Sequence, residues 1–422
     1  MTYNPDHLSR KFLLFTTCLF VLASGCQAAP PAPPMARITN SQVGSVQPGT
    51  RPAITFEIIP DVELTRGPGS LGFNIADALK AAGGELLGYT EAVGTKNYNA
   101  AELMERVSRD YSVNARILLA VIEYRSGWVT STRRTPVDDM LGLGQSNGPF
   151  FSQLNWLANE LNRGFYACRV GALQSLTLTD GSKVERSSGL NCASAALQYV
   201  FSLMDAYPAW ELAVGPLGVQ AAFQQLFGEP SIKAQEQNLT GLSQPTLRLP
   251  FEDGQTWYYT SGPHSAWGNG AAWAALDFAP AEGQLYCYQS DAWITAAADG
   301  VVARSEDGGV VLDLNGDGLE ETGWTLFYMH VATRDRVALG TRLKAGERIG
   351  HPSCEGGTSS GSHVHIARRY NGEWIPADQN IPFDLDGWIS SGSGEEYEGT
   401  LTRGGITITA LGYPANANQI TR

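Results

Sequence analysis

From Trp293 to His330 the chain alternates short β-branched runs with glycine: Trp293-Ile-Thr-Ala-Ala, Gly300-Val-Val-Ala-Arg, Gly309-Val-Val-Leu-Asp-Leu and Trp324-Thr-Leu-Phe-Tyr-Met-His. Runs of this length and composition read as strands, and the glycines between them as turns, so this stretch predicts a sheet. Four of the six histidines, His264, His330, His363 and His365, fall in this part of the chain. In a strand, side chains at i and i+2 share a face. His363 and His365 of Ser-His-Val-His-Ile therefore point together, while Val364 and Ile366 point into the core. Asp277 stands in the same region as a lone polar residue in Ala-Leu-Asp-Phe-Ala. Two or three histidines and a carboxylate, with room for water, are what a catalytic zinc requires. For a His-x-His pair alone, the competing reading is a polar sheet face.

Composition narrows the class. A chain of 422 residues implies two or three domains, and its 17% charged residues and 47 glycines suit an exported β-rich protein. The net charge of −13, with no clustered basic residues, argues against nucleic acid.

Residues 1–26 read as a lipoprotein signal peptide. Arg10 and Lys11 precede the apolar run Phe12 to Ala23, and Ser24-Gly25 lead into Cys26, the expected lipidation site. Cleavage after Ala28 or Ala29 is the alternative. A lipid on Cys26 would hold the protein at the outer face of the cell membrane. Residues 27–52 form a Pro-rich stalk. Residues 53–240 are expected to be a helical domain: Thr55-Phe-Glu-Ile-Ile-Pro is a strand candidate, and helices are predicted over Ala101–Arg109, Asn114–Tyr124, Gln153–Asn162 and Ala195–Asp205. Residues 241–392 carry the β pattern, and 393–422 form a tail that reads either as an extra strand or as a disordered end. The fold class is thus multidomain α+β, mainly α and then mainly antiparallel β. Cys168, Cys192, Cys287 and Cys354 remain for disulfides; of three possible pairings, Cys168–Cys192 with Cys287–Cys354 stays within domains. Asp313, Asn315 and Asp317 alternate as in the first half of a calcium loop, but Trp324 occupies the twelfth position, and a hairpin turn needing no Ca²⁺ explains the pattern equally.

Taken in order, Gly-Pro-His264, Leu-Asp277-Phe, Phe-Tyr-Met-His330-Val, Gly-Thr-Arg-Leu-Lys-Ala-Gly-Glu-Arg-Ile-Gly and Ser-His363-Val-His365 resemble the motifs of the LytM/lysostaphin zinc endopeptidases, which cut peptide cross-bridges of peptidoglycan. The separation of thirteen residues between His264 and Asp277, where most of that family has four, resembles the beta-lytic/staphylolysin branch. The resemblance implies one Zn²⁺ per chain on His264, Asp277 and His365. It also implies His330 and His363 as catalytic residues, one accepting a proton from water and both hydrogen-bonding the tetrahedral oxyanion. Peptidoglycan would be the partner.

Val113-Asn-Ala-Arg-Ile-Leu-Leu-Ala-Val-Ile-Glu-Tyr-Arg-Ser-Gly-Trp128 and Gly142-Leu-Gly-Gln145 resemble lysozyme-like lytic transglycosylases. That implies a lysozyme-like N-terminal domain, but the slot of the general-acid glutamate holds Arg125, which cannot donate a proton. Tyr124, Arg125 and Trp128 are candidate glycan contacts. Two readings compete with the peptidase: a non-catalytic wall-binding or regulatory lipoprotein, and a bifunctional hydrolase cutting glycan and peptide.

Overall fold

The computed structural model describes residues 49–132, 140–142, 148–230, 239, 241–281 and 286–422. The signal peptide with Cys26, nearly all of the stalk, and Gln145 lie outside them. Among the described residues, seven helices build the first half: α1 (Ile75–Ala82), α2 (Ala100–Tyr111), α3 (Ala115–Ser126), α4 (Phe150–Arg169), α5 (Cys192–Ser202), α6 (Tyr207–Ala213) and α7 (Val219–Phe227). Local sequence sets their ends. Asn99 and Glu102 form a reciprocal capping box at the start of α2, and Asn114 caps α3, which stops where Gly127 takes φ +70°. Cys168 at the end of α4 is bonded to Cys192 at the start of α5.

The strand expected at Thr55–Pro60 is absent. That segment is extended, but α5 satisfies it: Ser194 Oγ accepts from the Ile58 N–H at 2.7 Å and Gln198 Nε2 donates to the Ile54 carbonyl. The segment has no need of a neighbouring strand. The end of the expected stalk is folded too, since Thr50–Arg51 pairs in parallel with Lys183–Glu185.

The second half is built on an antiparallel sheet that runs, in spatial order, Arg342–Leu343, Gly300–Glu306, Gly309–Asp313, Trp324–Met329, Val364–Tyr370, Ala275–Pro280, Thr256–His264 and Gln419–Thr421. The last of these comes from the stretch after residue 392, as does the hairpin Gly399–Arg403 with Ile406–Thr409 of a separate four-stranded sheet, so that stretch is ordered and adds an edge strand to the main sheet.

Strand alternation divides the core. Val310, Leu312, Leu326, Tyr328, Val364, Ile366, Leu276 and Phe278 belong to one apolar cluster. Val311, Phe327, Met329, Ala367 and Ala275 belong to the other, which they share with the helices. His365 and Asp277 have the parity of this second set, so the side of the sheet that carries them continues into the contact with the helical region.

Polar contacts reinforce that contact. Arg304 reaches Asp110 of α2 at 2.7 Å and Glu320 at 2.8 Å, Arg369 reaches Glu320 at 2.6 Å, and the Tyr166 hydroxyl accepts from the Trp374 N–H at 2.9 Å. Glu320 is buried, which alone would raise its pKa, but Arg304 and Arg369 pull it down to about 2.

The acidic turn at 313–318 closes on itself. Asp313 accepts from the N–H groups of Asn315 and Gly318, Asn315 from that of Asp317, and Asp317 from that of Leu319. It joins two paired strands, with Asp313 opposite Thr325.

Candidate metal centre

His264 ends the Thr256–His264 strand, Asp277 lies in the adjoining strand, and His365 is directly opposite both Asp277 and Met329. His264 Nε2 and His365 Nδ1 are 3.0 Å apart, and each is 3.3 Å from Asp277 Oδ1. The outer contacts decide which atoms these are. His264 Nδ1 is 2.8 Å from the Gly262 carbonyl and His365 Nε2 is 3.2 Å from the Ala266 carbonyl, so those nitrogens carry the protons and donate. Two imidazole lone pairs and a carboxylate oxygen, itself buried without a hydrogen bond, are left facing one another.

Three electron-rich atoms at that spacing need a cation between them. Ligands about 2.0–2.1 Å from a tetrahedral zinc stand about 3.3 Å apart, which matches the triangle. Among the described residues this is the one group of three or more His, Cys, Asp or Glu side chains that converge in this way. Burial opposes charge here, yet His264 and His363 outweigh it and hold Asp277 well below the usual carboxylate range. Burial alone would lower His264, but Asp277 outweighs it and raises it, whereas burial lowers His365.

His330 and His363 stand beside the triangle. His330 follows the Trp324–Met329 strand with φ +64°, a left-handed conformation that turns its ring back toward His363, with the ring centres 4.5 Å apart. Its Nδ1 donates to the Glu355 carbonyl at 2.9 Å, and that of His363 to the Gly361 carbonyl at 2.8 Å. Burial, with His363 and His365 nearby, pushes His330 down to about 3, so it is neutral. His363 Nε2 lies 3.5 Å from Asp277 Oδ2. The Cys287–Cys354 bond braces both histidines. On one side Tyr288 exchanges two hydrogen bonds with Ser362, next to His363; on the other, Ser353 donates twice to the His330 carbonyl. His351 lies elsewhere, packed on Trp293 with Nδ1 on the Ala292 carbonyl.

One neighbour of the site was not visible in the motifs. Tyr397 stacks on His264 with ring centres 4.9 Å apart and planes inclined by 26°, and its ring is half exposed. It comes from the stretch after residue 392, far from any histidine motif. Its φ of +72° is rare for a bulky residue, and that conformation sets its N–H on the Pro263 carbonyl and its carbonyl on the Gly262 N–H.

Among the described residues, the helical region shows no matching acid. Arg125 is not solvated: it binds both carboxylate oxygens of Asp205 at 2.8 and 3.0 Å and the Leu141 carbonyl at 2.7 Å. Glu123 accepts from the N–H groups of Val129 and Thr130 and from the Thr130 hydroxyl, closing the end of α3. Trp128 is buried and Tyr124 packs on Phe201.

An antiparallel sheet that presents two histidines and an aspartate at zinc-ligand spacing, with two more histidines alongside, defines a zinc metallopeptidase. Residues 275–377 match the model of peptidase family M23, and this β region is a metallopeptidase domain of that family. Residues 57–240 match the model of the LasA N-terminal domain, which is the kinship shown for the helical region. Protease LasA of Pseudomonas aeruginosa strain UCBPP-PA14 is 27% identical over 294 residues, covering 65% of this chain and 67% of that protein. Protease LasA of strain PAO1 is 26% identical with the same coverage. Among solved structures, the deep-sea M23 metalloprotease pseudoalterin aligns at 24% identity and TM-score 0.33, over 40% of this chain and 96% of that one. The catalytic domain of lysostaphin from Staphylococcus simulans aligns at 21% identity and TM-score 0.21, over 29% and 89%.

Proposed function

We propose that this protein is an exported zinc endopeptidase that hydrolyses peptide bonds of peptidoglycan, in cross-bridges or stem peptides. The observation that carries the reading is the triangle of His264 Nε2, His365 Nδ1 and Asp277 Oδ1, three unprotonated donors with edges of 3.0 and 3.3 Å. A wall-binding protein without catalysis has no use for such a set. Zinc held there supplies Lewis acidity, polarising a carbonyl oxygen and lowering the pKa of water.

The protein's own groups do the rest. His330, neutral and with Nδ1 already donating, offers a lone pair at Nε2 that accepts from the attacking water and orients it. His363, the more exposed of the two, takes the proton at Nε2 and then donates to the developing oxyanion. The Tyr397 ring forms a wall beside His264.

Export is supported by the signal-like N-terminus and by two disulfides, Cys168–Cys192 and Cys287–Cys354. Membrane attachment through Cys26 rests on sequence alone; release of Cys26→Ser protein from membranes tests it. Calcium on Asp313, Asn315 and Asp317 has weaker support, because their oxygens already accept the turn's own N–H groups. The deciding experiment is digestion of defined peptidoglycans with and without a chelator, with new termini identified by mass spectrometry. New amino termini that vanish with the chelator carry the proposal; intact peptides with the metal-loaded protein refute it.

A further inference from the structure

We propose that Asn159, on the helical region, is a positioning residue for the zinc site: it anchors the loop between the first two ligands, and that loop holds His365 in its ligating tautomer. The inference rests on the zinc reading of the site. The long separation of His264 and Asp277 forms a closed loop, pinned at its neck by the Ala266 N–H on the Ala272 carbonyl at 3.0 Å. The Ala266 carbonyl in that neck accepts from His365 Nε2 and so leaves Nδ1 free for the metal.

The tip of the loop is held by the helical region. Asn159 Oδ1 accepts from two consecutive backbone N–H groups, Asn269 at 3.1 Å and Gly270 at 3.0 Å. Asn159 Nδ2 and an Arg163 guanidinium nitrogen both donate to Asn269 Oδ1, each at 2.7 Å. The approach is close enough to require glycine. A Cβ on Gly270 would lie 2.0 Å from the Asn159 carbonyl oxygen, and one on Gly268, at φ +63°, would lie 2.6 Å from Asn159 Oδ1. Between tip and neck, Trp267 bridges the two regions. Its ring lies 6.3 Å from Tyr111 of α2 and 5.9 Å from Phe327, which is 6.2 Å from His365.

The spacing of thirteen between His264 and Asp277 gives the loop its length. The contacts make it a lever from α4 to a metal ligand, with the Asn159 amide as its fixed point. Outer contacts that orient a ligand are typically worth ten- to a hundredfold in metal affinity. Asn159 acts one link further out, so the low end applies.

The test is zinc affinity by chelator competition, together with the visible spectrum of the cobalt-substituted protein, on the full chain. Asn159→Ala is at a partly exposed helix position that tolerates alanine. It should weaken zinc binding about tenfold and alter the cobalt bands. Asn159→Asp keeps the acceptor for both N–H groups but loses the Nδ2 donor to Asn269 and Glu160, and should fall between Asn159→Ala and wild type. Tyr199→Phe, which removes a bond to Glu160 on the same helix and none to the loop, should bind zinc normally. Wild-type zinc affinity and spectrum in Asn159→Ala would overturn the proposal. So would equal weakening by Asn159→Ala and Tyr199→Phe, since that reports general loosening of the helix. Failure of the zinc reading itself looks different, because the wild-type protein would then bind no zinc.

Discussion

Tyr397 lies flat against His264, ring centre to ring centre 4.9 Å, although 133 residues separate them. Its backbone is bonded on both sides to the bulged end of the strand that delivers His264, so ring and ligand are set as one unit. Aromatic stacking of this kind is worth about 1 kcal/mol. Tyr397→Ala should therefore lower kcat/KM about five- to tenfold while zinc content stays at one per chain. Tyr397→Phe separates the ring from the hydroxyl: recovery of activity assigns the effect to the ring.

The three ligands should behave alike and unlike everything around them. His264→Ala, Asp277→Ala and His365→Ala each leave two donors where the triangle had three, and should abolish both zinc retention and peptide cleavage. A chelator should reproduce the loss in wild type, and added zinc should reverse it. Elemental analysis after dialysis is the direct check.

His330 and His363 make no edge of that triangle. Their alanine variants should keep zinc and lose turnover, by on the order of a hundredfold or more each. Metal loss in either variant would reassign it to the ligand set.

The buried Glu320 predicts a pH dependence of stability with a definite sign. Its folded pKa of about 2 lies below the usual carboxylate value, so its ion pairs with Arg304 and Arg369 contribute fully above about pH 4.5 and are lost as pH falls toward 2. Glu320→Gln should cost about 3–5 kcal/mol at neutral pH, since it leaves buried arginine charge uncompensated. The gap between wild type and variant, read by urea unfolding, should narrow between pH 5 and pH 3. A constant gap would show that Glu320 is not the titrating group.

The helical region should not cut glycan. With the metal site disabled by His365→Ala, peptidoglycan digests should contain no newly cut strands, and Glu123→Gln should change nothing there. Asp205→Ala should instead destabilise the fold by about 3–5 kcal/mol, because it strands Arg125 in a largely buried ion pair.

How much of this was legible in the chain follows from the range of the interactions. Alternation put His363 and His365 together and sent Val364 and Ile366 into the core, because a strand's facing is set by the backbone one residue at a time. Helix periodicity located α2, α3 and α5 within about three residues for the same reason, although α4 runs to Arg169, seven residues past its expected end, and the order and residue types of the histidine motifs named the ligands. The rest depends on contacts far apart in sequence, which no local pattern encodes. His264 meets His365 across 101 residues, Ser265 meets Glu396 across 131, and Asn269 meets Asn159 across 110. Arg125 reads from sequence as a candidate sugar contact, but in the fold Asp205, 80 residues on, is its partner. Thr55–Pro60 has strand composition, yet α5 supplied its hydrogen bonds first. Sequence alone thus determined which side chains meet at the metal centre. Tertiary structure decided which lone pair each presents, what holds it there and which aromatic ring walls the site, since those depend on carbonyls and side chains that only the folded chain brings within 3 Å or so of each other.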